Sequence, residues 1–246
     1  MTDVIISINQ KGGTGKTTTA AVLAQAAAKD GKRALAIDLD PQANLSYCMR
    51  ANASGPGSYH LLTGTPAADL IQHIDGVDVI PANRELATLT SGRGTARRLE
   101  RALMPIKDNY DLITIDTPST AGELQYNGLQ AATGVIISLI TDIYDLQALY
   151  QIHNTIQGFK ESNPALTIKG VIIARYVGNT KFRRQMIDHI KQHAAALDIP
   201  FIGIVREAGA VQEAAFMRQS LYEYAPKCKP AQDYLEIYKK ITGQED

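Results

Sequence analysis

The chain has 246 residues, 45% of them hydrophobic, which suits one large α/β domain or at most two small ones. Lys plus Arg equals Asp plus Glu at 25 each. That balance excludes coating DNA by bulk charge, so any nucleic-acid contact must come from a local patch. The two cysteines, Cys48 and Cys228, make neither a C-x-x-C pair nor a disulfide framework, which fits a reducing compartment. No apolar run approaches the ~20 residues that span a bilayer, and the start lacks a leader-like apolar core. A cytoplasmic protein is expected.

Val4 to Ile8 is a short apolar run that reads as a buried strand, and Gln10-Lys11-Gly12-Gly13-Thr14-Gly15-Lys16-Thr17-Thr18 follows it directly. Strand, glycine loop and helix start together make a phosphate cradle, because loop amides and the first helical turn offer unpaired N–H donors. Gly12, Gly13, Thr14, Gly15 and Thr18 supply backbone, Lys16 reaches the β- and γ-phosphates, and the Thr17 hydroxyl takes a Mg²⁺ position. The strict G-x-x-x-x-G-K-[ST] pattern is not met, since Gln10 stands at its first glycine and Lys11 leads the loop. K-G-G-T-G-K-T resembles the deviant Walker A motif of the ParA/MinD group of ATPases. The resemblance implies that Lys11 reaches across a dimer interface to the nucleotide of the other subunit.

Ala20 to Lys29 is expected to be helical and ends at Asp30-Gly31. Ala34 to Ile37 is a second buried strand. Apolar runs alternating with helices argue for a doubly wound, mostly parallel α/β sheet with helices on both faces and a site at the carboxyl ends of the strands. Asp38-Leu39-Asp40-Pro41-Gln42 follows the second strand, and carboxylates at i and i+2 are expected to point the same way. By resemblance this is the first switch, in which Asp40 orients or deprotonates the attacking water and Asp38 supports the Mg²⁺ shell. Residues 50 to 75 carry little beyond turn signals at Gly55-Pro56-Gly57 and Gly64-Thr65-Pro66, and Val77 to Ile80 reads as a strand. Arg93, Arg97, Arg98 and Arg101 are expected on a helical, solvated face.

Leu112 to Asp116 is an apolar strand ending in one aspartate, a Walker B pattern in which Asp116 holds Mg²⁺ through a water, opposite Thr17. The resembled family often has two prolines next. Here Ser119 takes the second place, which leaves the mechanics of that switch open. Thr133 to Ile140 reads as a strand, and a helix is expected from about Asp142 to Lys160, either an outer helix or part of the subunit interface. Ile168 to Val177 and Phe201 to Val205 read as strands, with a helix from Lys181 to Leu197 between them. The segments 208–224 and 230–241 resemble the family's C-terminal region.

The resemblance covers nearly the whole chain and implies a single P-loop ATPase domain over residues 1–246, closest to the short ParA type without an N-terminal helix-turn-helix. It further implies ATP and Mg²⁺ as cofactors, a homodimer when ATP-bound, and hydrolysis that is weak alone and stimulated by a partner. Non-specific double-stranded DNA and a ParB-like centromere-binding protein are the implied partners, with a nucleoid-associated ATP state driving plasmid or chromosome partition. Lys11, Lys16 and Asp40 are the candidate catalytic groups, Thr17, Asp38, Asp40 and Asp116 the candidate metal groups, and Arg183, Arg184, Arg206 and Arg218 the candidate DNA contacts. Three alternatives stand beside this. One is a ParA-like positioner of a protein cargo. A MinD-like membrane ATPase needs a basic amphipathic C-terminal helix, which the mixed charges of Asp233 to Ile241 disfavour. A nitrogenase-reductase-like iron–sulfur protein needs paired cysteines that Cys48 and Cys228 do not supply.

Overall fold

In each central strand the residues are apolar at nearly every position, and both faces are covered. Val4, Ile6 and Ile8 join one buried cluster while Ile5, between them, joins the other, as the period-two geometry of a strand demands. The computed structural model describes residues 2–90, 92, 94–178 and 180–244. Its strands are β1 (Asp3–Ile8), β2 (Ala34–Asp38), β3 (Gln72–Ile74), β4 (Val77–Ile80), β5 (Leu112–Asp116), β6 (Gly134–Leu139), β7 (Thr167–Tyr176) and β8 (Phe201–Arg206). They form one sheet in the order β3-β4-β2-β5-β1-β6-β7-β8. All pairings are parallel except β3 with β4.

Helices α1 (Lys16–Lys29), α2 (Asn44–Cys48), α8 (Gly209–Met217), α9 (Leu221–Tyr224) and α10 (Lys229–Thr242) pack on one face. The other face carries α3 (Ser58–Thr63), α4 (Arg98–Leu103), α5 (Glu123–Ala131), α6 (Asp145–Phe159) and α7 (Lys181–Ala196). Helix α1 is alanine-rich and buried nearly all round, because it lies between the sheet and α10, and small side chains let both come close. The chain leaves β1 for β2 on one side and enters β6 on the other, so β1 is the switch point where a crevice opens beyond the carboxyl ends.

Several boundaries differ from the sequence reading. Helix α1 starts at Lys16, not Ala20, because Gly15 in the left-handed region (φ 83°) ends the loop and lets the threonine run wind at once. Helix α6 starts at Asp145, with Asp142 and Tyr144 in the turn before it. Arg97 closes a short 3-10 turn and Arg98 and Arg101 lie on α4, while Arg93 falls outside the described residues. Strand β3 was not foreseen. It pairs back through Asp75 and Gly76, both with positive φ (48° and 78°), a D-G hairpin signal that the sequence does carry.

Candidate functional site

The loop after β1 is shaped by side chains before any ligand is considered. Asn9 is fully buried, donating to Ser138 O at 2.7 Å and accepting from the Lys11 N–H at 2.8 Å. Gly13 and Gly15 both have positive φ, which costs a residue with a side chain about 1–2 kcal/mol. A Cβ on Gly15 would also stand 3.1 Å from the Ala174 side chain. These glycines turn the loop around a cleft of about 660 Å3 lined by residues 12–18, Asp40, Ser119, Arg175 and the α8 segment.

Lys16 points into this cleft from the first turn of α1 and is only 6% exposed. Its ammonium donates to Ser119 Oγ at 2.9 Å and Lys11 O at 3.3 Å. Burial lowers its pKa, and the charges of Asp116 and Asp40 oppose that shift. Asp116 at the end of β5 is fully buried, and neither of its oxygens has a hydrogen-bond partner among the described residues. Burial, reinforced by the charge of Asp38, pushes its carboxyl well above the usual range, with Thr17 and Lys16 pulling the other way. A buried carboxyl beside two other acids is stabilised in its charged form by a bound cation. Together with the Thr17 hydroxyl it is a donor set that suits a hard divalent ion such as Mg²⁺.

Asp38 and Asp40 do not present together. Asp38 is buried and turns inward, its Oδ2 accepting from Ser46 N (2.8 Å) and Ser46 Oγ (2.7 Å), and its Oδ1 from Asp40 N (3.0 Å). Burial raises its pKa to about 6, against those hydrogen bonds. Its oxygens are therefore occupied, and it anchors the β2–α2 segment from behind. Asp40 is half-buried, lines the cleft and accepts from Gln42 N at 2.9 Å.

Lys11 does not enter its own cleft. Its side chain is 42% exposed and pairs with Asp142 Oδ2 at 2.6 Å, and this hydrogen bond raises the lysine and lowers the aspartate pKa. Of the basic candidates, Arg183 and Arg184 lie on the first turn of α7, half-buried and exposed. Arg206 is held by buried Asp233 through its backbone N–H (2.8 Å) and its guanidinium. Arg218 donates to Tyr47 O at 2.8 Å and lies over the Tyr47 ring. The structure thus brings the phosphate loop, Asp40 and Asp116 to one place, with Arg206 also lining the cleft, while Arg183, Arg184 and Arg218 are not among its lining residues.

Three groups were missed by the sequence reading. Ser119, noted only as a departure, partners Lys16. Arg175, in the left-handed region with φ 53°, donates to Gly13 O at 3.1 Å and pairs with Glu207. Tyr234 on α10, 1% exposed, shares a 3.1 Å hydrogen bond with Thr19 behind the loop. No motif spacing connects any of these to the loop. Only the fold does.

A buried lysine, a hydroxyl and an orphaned carboxylate around a glycine loop, at the switch point of a parallel sheet, define a P-loop nucleotide-binding protein. Residues 2–168 match the family described as "AAA domain", and residues 127–246 match "4Fe-4S iron sulfur cluster binding proteins, NifH/frxC family". The second stretch contains one cysteine, Cys228, and its thiol is free. The chain is 32% identical over 240 residues to the chromosome-partitioning ATPase Soj of Thermus thermophilus, covering 96% of this chain and 94% of Soj. It is 33% identical to the chromosome partitioning protein ParA of Caulobacter vibrioides, covering 98% and 94%. Cobyrinic acid a,c-diamide synthase from Mycobacterium smegmatis, solved with bound ADP and magnesium, superposes with a TM-score of 0.81 at 28% identity over 97% and 93% of the two chains. The chain belongs to the ParA family of partition ATPases.

Proposed function

We propose that this chain binds Mg²⁺-ATP, dimerises on it, and in that state holds DNA non-specifically, so that a ParB-like partner can couple hydrolysis to the partition of a plasmid or chromosome. In this reading the loop amides and Lys16 hold the phosphates, and Thr17 and Asp116 hold Mg²⁺. Asp38 supports that shell through the segment it anchors, and Asp40 orients water toward the γ-phosphate. Mg²⁺, when bound, neutralises charge on the phosphate oxygens. The Soj and ParA relatives support ATP and partition as the setting; the proposed place of work is the cytoplasm, with the nucleoid in the ATP state.

The observation that carries the dimer is Lys11. A second lysine in a phosphate loop that turns away from its own cleft, to a half-buried carboxylate, is a cation available to another subunit's nucleotide. Ile143, Tyr144, Val177, Phe182, Phe216 and Met217, between 44% and 76% exposed, follow β6, β7 and β8 at the cleft end of the sheet. Apolar side chains gathered around a site mark a surface that another protein covers. For DNA, Arg183 and Arg184 are the better candidates, since Arg206 and Arg218 must first release internal partners.

The deciding experiment is DNA binding with ATP, with ADP and without nucleotide, at two salt concentrations. ATP-dependent, sequence-indifferent and salt-sensitive binding is expected. Absence of DNA binding in every state would overturn the DNA half of the proposal and favour a protein cargo. A companion variant tests the chemistry: Asp40→Ala is expected to keep ATP binding and ATP-dependent dimerisation while hydrolysis is lost. Loss of ATP binding in that variant would remove Asp40 from its role.

A further inference from the structure

We infer that Arg175 and Ser138 are positioning residues that pre-aim individual amides of the phosphate loop. The inference rests on the nucleotide reading of that loop and deepens it. A phosphate loop grips with N–H groups, and a trans peptide is planar, so its C=O and N–H point in opposite directions. A donor that holds a loop carbonyl back therefore fixes the N–H of the following residue toward the other side. Arg175 Nη1 holds Gly13 O at 3.1 Å, which aims the Thr14 amide. Ser138 Oγ, buried in β6, holds Thr14 O, which aims the Gly15 amide. Neither side chain is in the loop or its motif; Ser138 projects from β6, next to β1, and Arg175 from β7, one strand further out.

The fold goes out of its way to place Arg175. The β7–β8 register slips between Ile173 and Tyr176, leaving Ala174 and Arg175 opposite Val205 alone. Such a bulge re-aims a side chain beside a site. Arg175 there takes φ 53°, a conformation that favours glycine. Its Nε and Nη2 both donate to Glu207 Oε1, at 3.2 and 2.9 Å, and Glu207 N–H donates to Tyr176 O at 3.0 Å. The guanidinium is thus clamped at the end of β8 and delivers its remaining edge to the loop. With glycine on either side of Thr14, the loop has little intrinsic stiffness, and preorganised donors are what make a charged site effective.

The test uses the full-length protein, with amide resonances of the nucleotide-free state and ADP titration as separate readouts. Arg175→Met is expected to shift the Thr14 amide and weaken ADP binding about fivefold. Ser138→Ala, which removes one oxygen and leaves the strand intact, is expected to shift Gly15 instead, with a similar loss. Arg175→Lys, which retains a donor, is expected to recover most of both Arg175 signals. An unmoved Thr14 amide in Arg175→Met overturns the inference even if ADP affinity falls, because the arginine would then touch the nucleotide itself. Unchanged ADP affinity in both Arg175→Met and Ser138→Ala also overturns it. Failure of the unaltered protein to bind ADP would instead strike the nucleotide reading.

Discussion

At the scale of single residues, the site holds buried ionisable groups whose hydrogen-bond partners are uncharged. Lys16 is held by Ser119 Oγ and Lys11 O in this state, and a phosphate would replace both acceptors. Ser119→Ala should therefore lower the stability of the nucleotide-free protein by about 1 kcal/mol, while ADP affinity is kept or slightly raised. Thermal unfolding with and without ADP measures both, and a tenfold loss of ADP affinity would mean that Ser119 contacts the nucleotide. Lys11 differs in kind. Its side chain is exposed and paired with half-buried Asp142 outside the cleft, so Lys11→Ala should leave ADP affinity within about twofold, as surface ion pairs contribute little, yet impair turnover by the dimer. Most of this site was legible in the sequence because phosphate binding is local: loop, lysine and hydroxyl are consecutive. Arg175 was not legible, because the bulge that aims it is a property of strand pairing.

At the scale of elements, α10 turns out to carry one apolar face despite its mixed charges. Tyr234, Ile237, Tyr238 and Ile241 form its apolar face and are all buried against α1 and β8. That face is covered within the chain, which removes the usual basis for membrane attachment by such a helix. Gly203 on β8 lets α10 approach: a Cβ there would stand 2.8 Å from Ile237 Cγ1. Gly203→Ala should cost about 1–3 kcal/mol through overpacking, and Ile237→Ala about 2–4 kcal/mol through a cavity, both measurable by denaturant unfolding. The double variant should cost less than the sum, because each change relieves the other. The apolar strands were legible as continuous runs. Strand β3 was not, since exposed His73 between half-buried Gln72 and Ile74 carries no hydrophobic pattern and the three owe their state to pairing with β4.

At the scale of the whole molecule, one end of the sheet gathers the features that bear on function. The carboxyl ends hold the cleft, Lys11 and the exposed apolar side chains, and Arg183 and Arg184 begin α7 just past the carboxyl end of β7. Arg183→Glu combined with Arg184→Glu should weaken DNA binding uniformly across sequences and flatten its salt dependence by about two phosphate contacts. Nucleotide affinity should stay unchanged. An unaltered salt slope would take α7 out of the DNA surface. None of the described helices is long and apolar enough to cross a membrane.

The hydrogen bond between Thr19 and Tyr234 joins positions 215 residues apart. A chain made from its N-terminus completes the glycine loop more than two hundred residues before the helix that braces it from behind. Until α10 is made, α1 leans on the sheet, α2 and α9 but lacks that outer brace. A product cut short before Lys229 would carry the whole phosphate motif on a helix braced from the sheet side only.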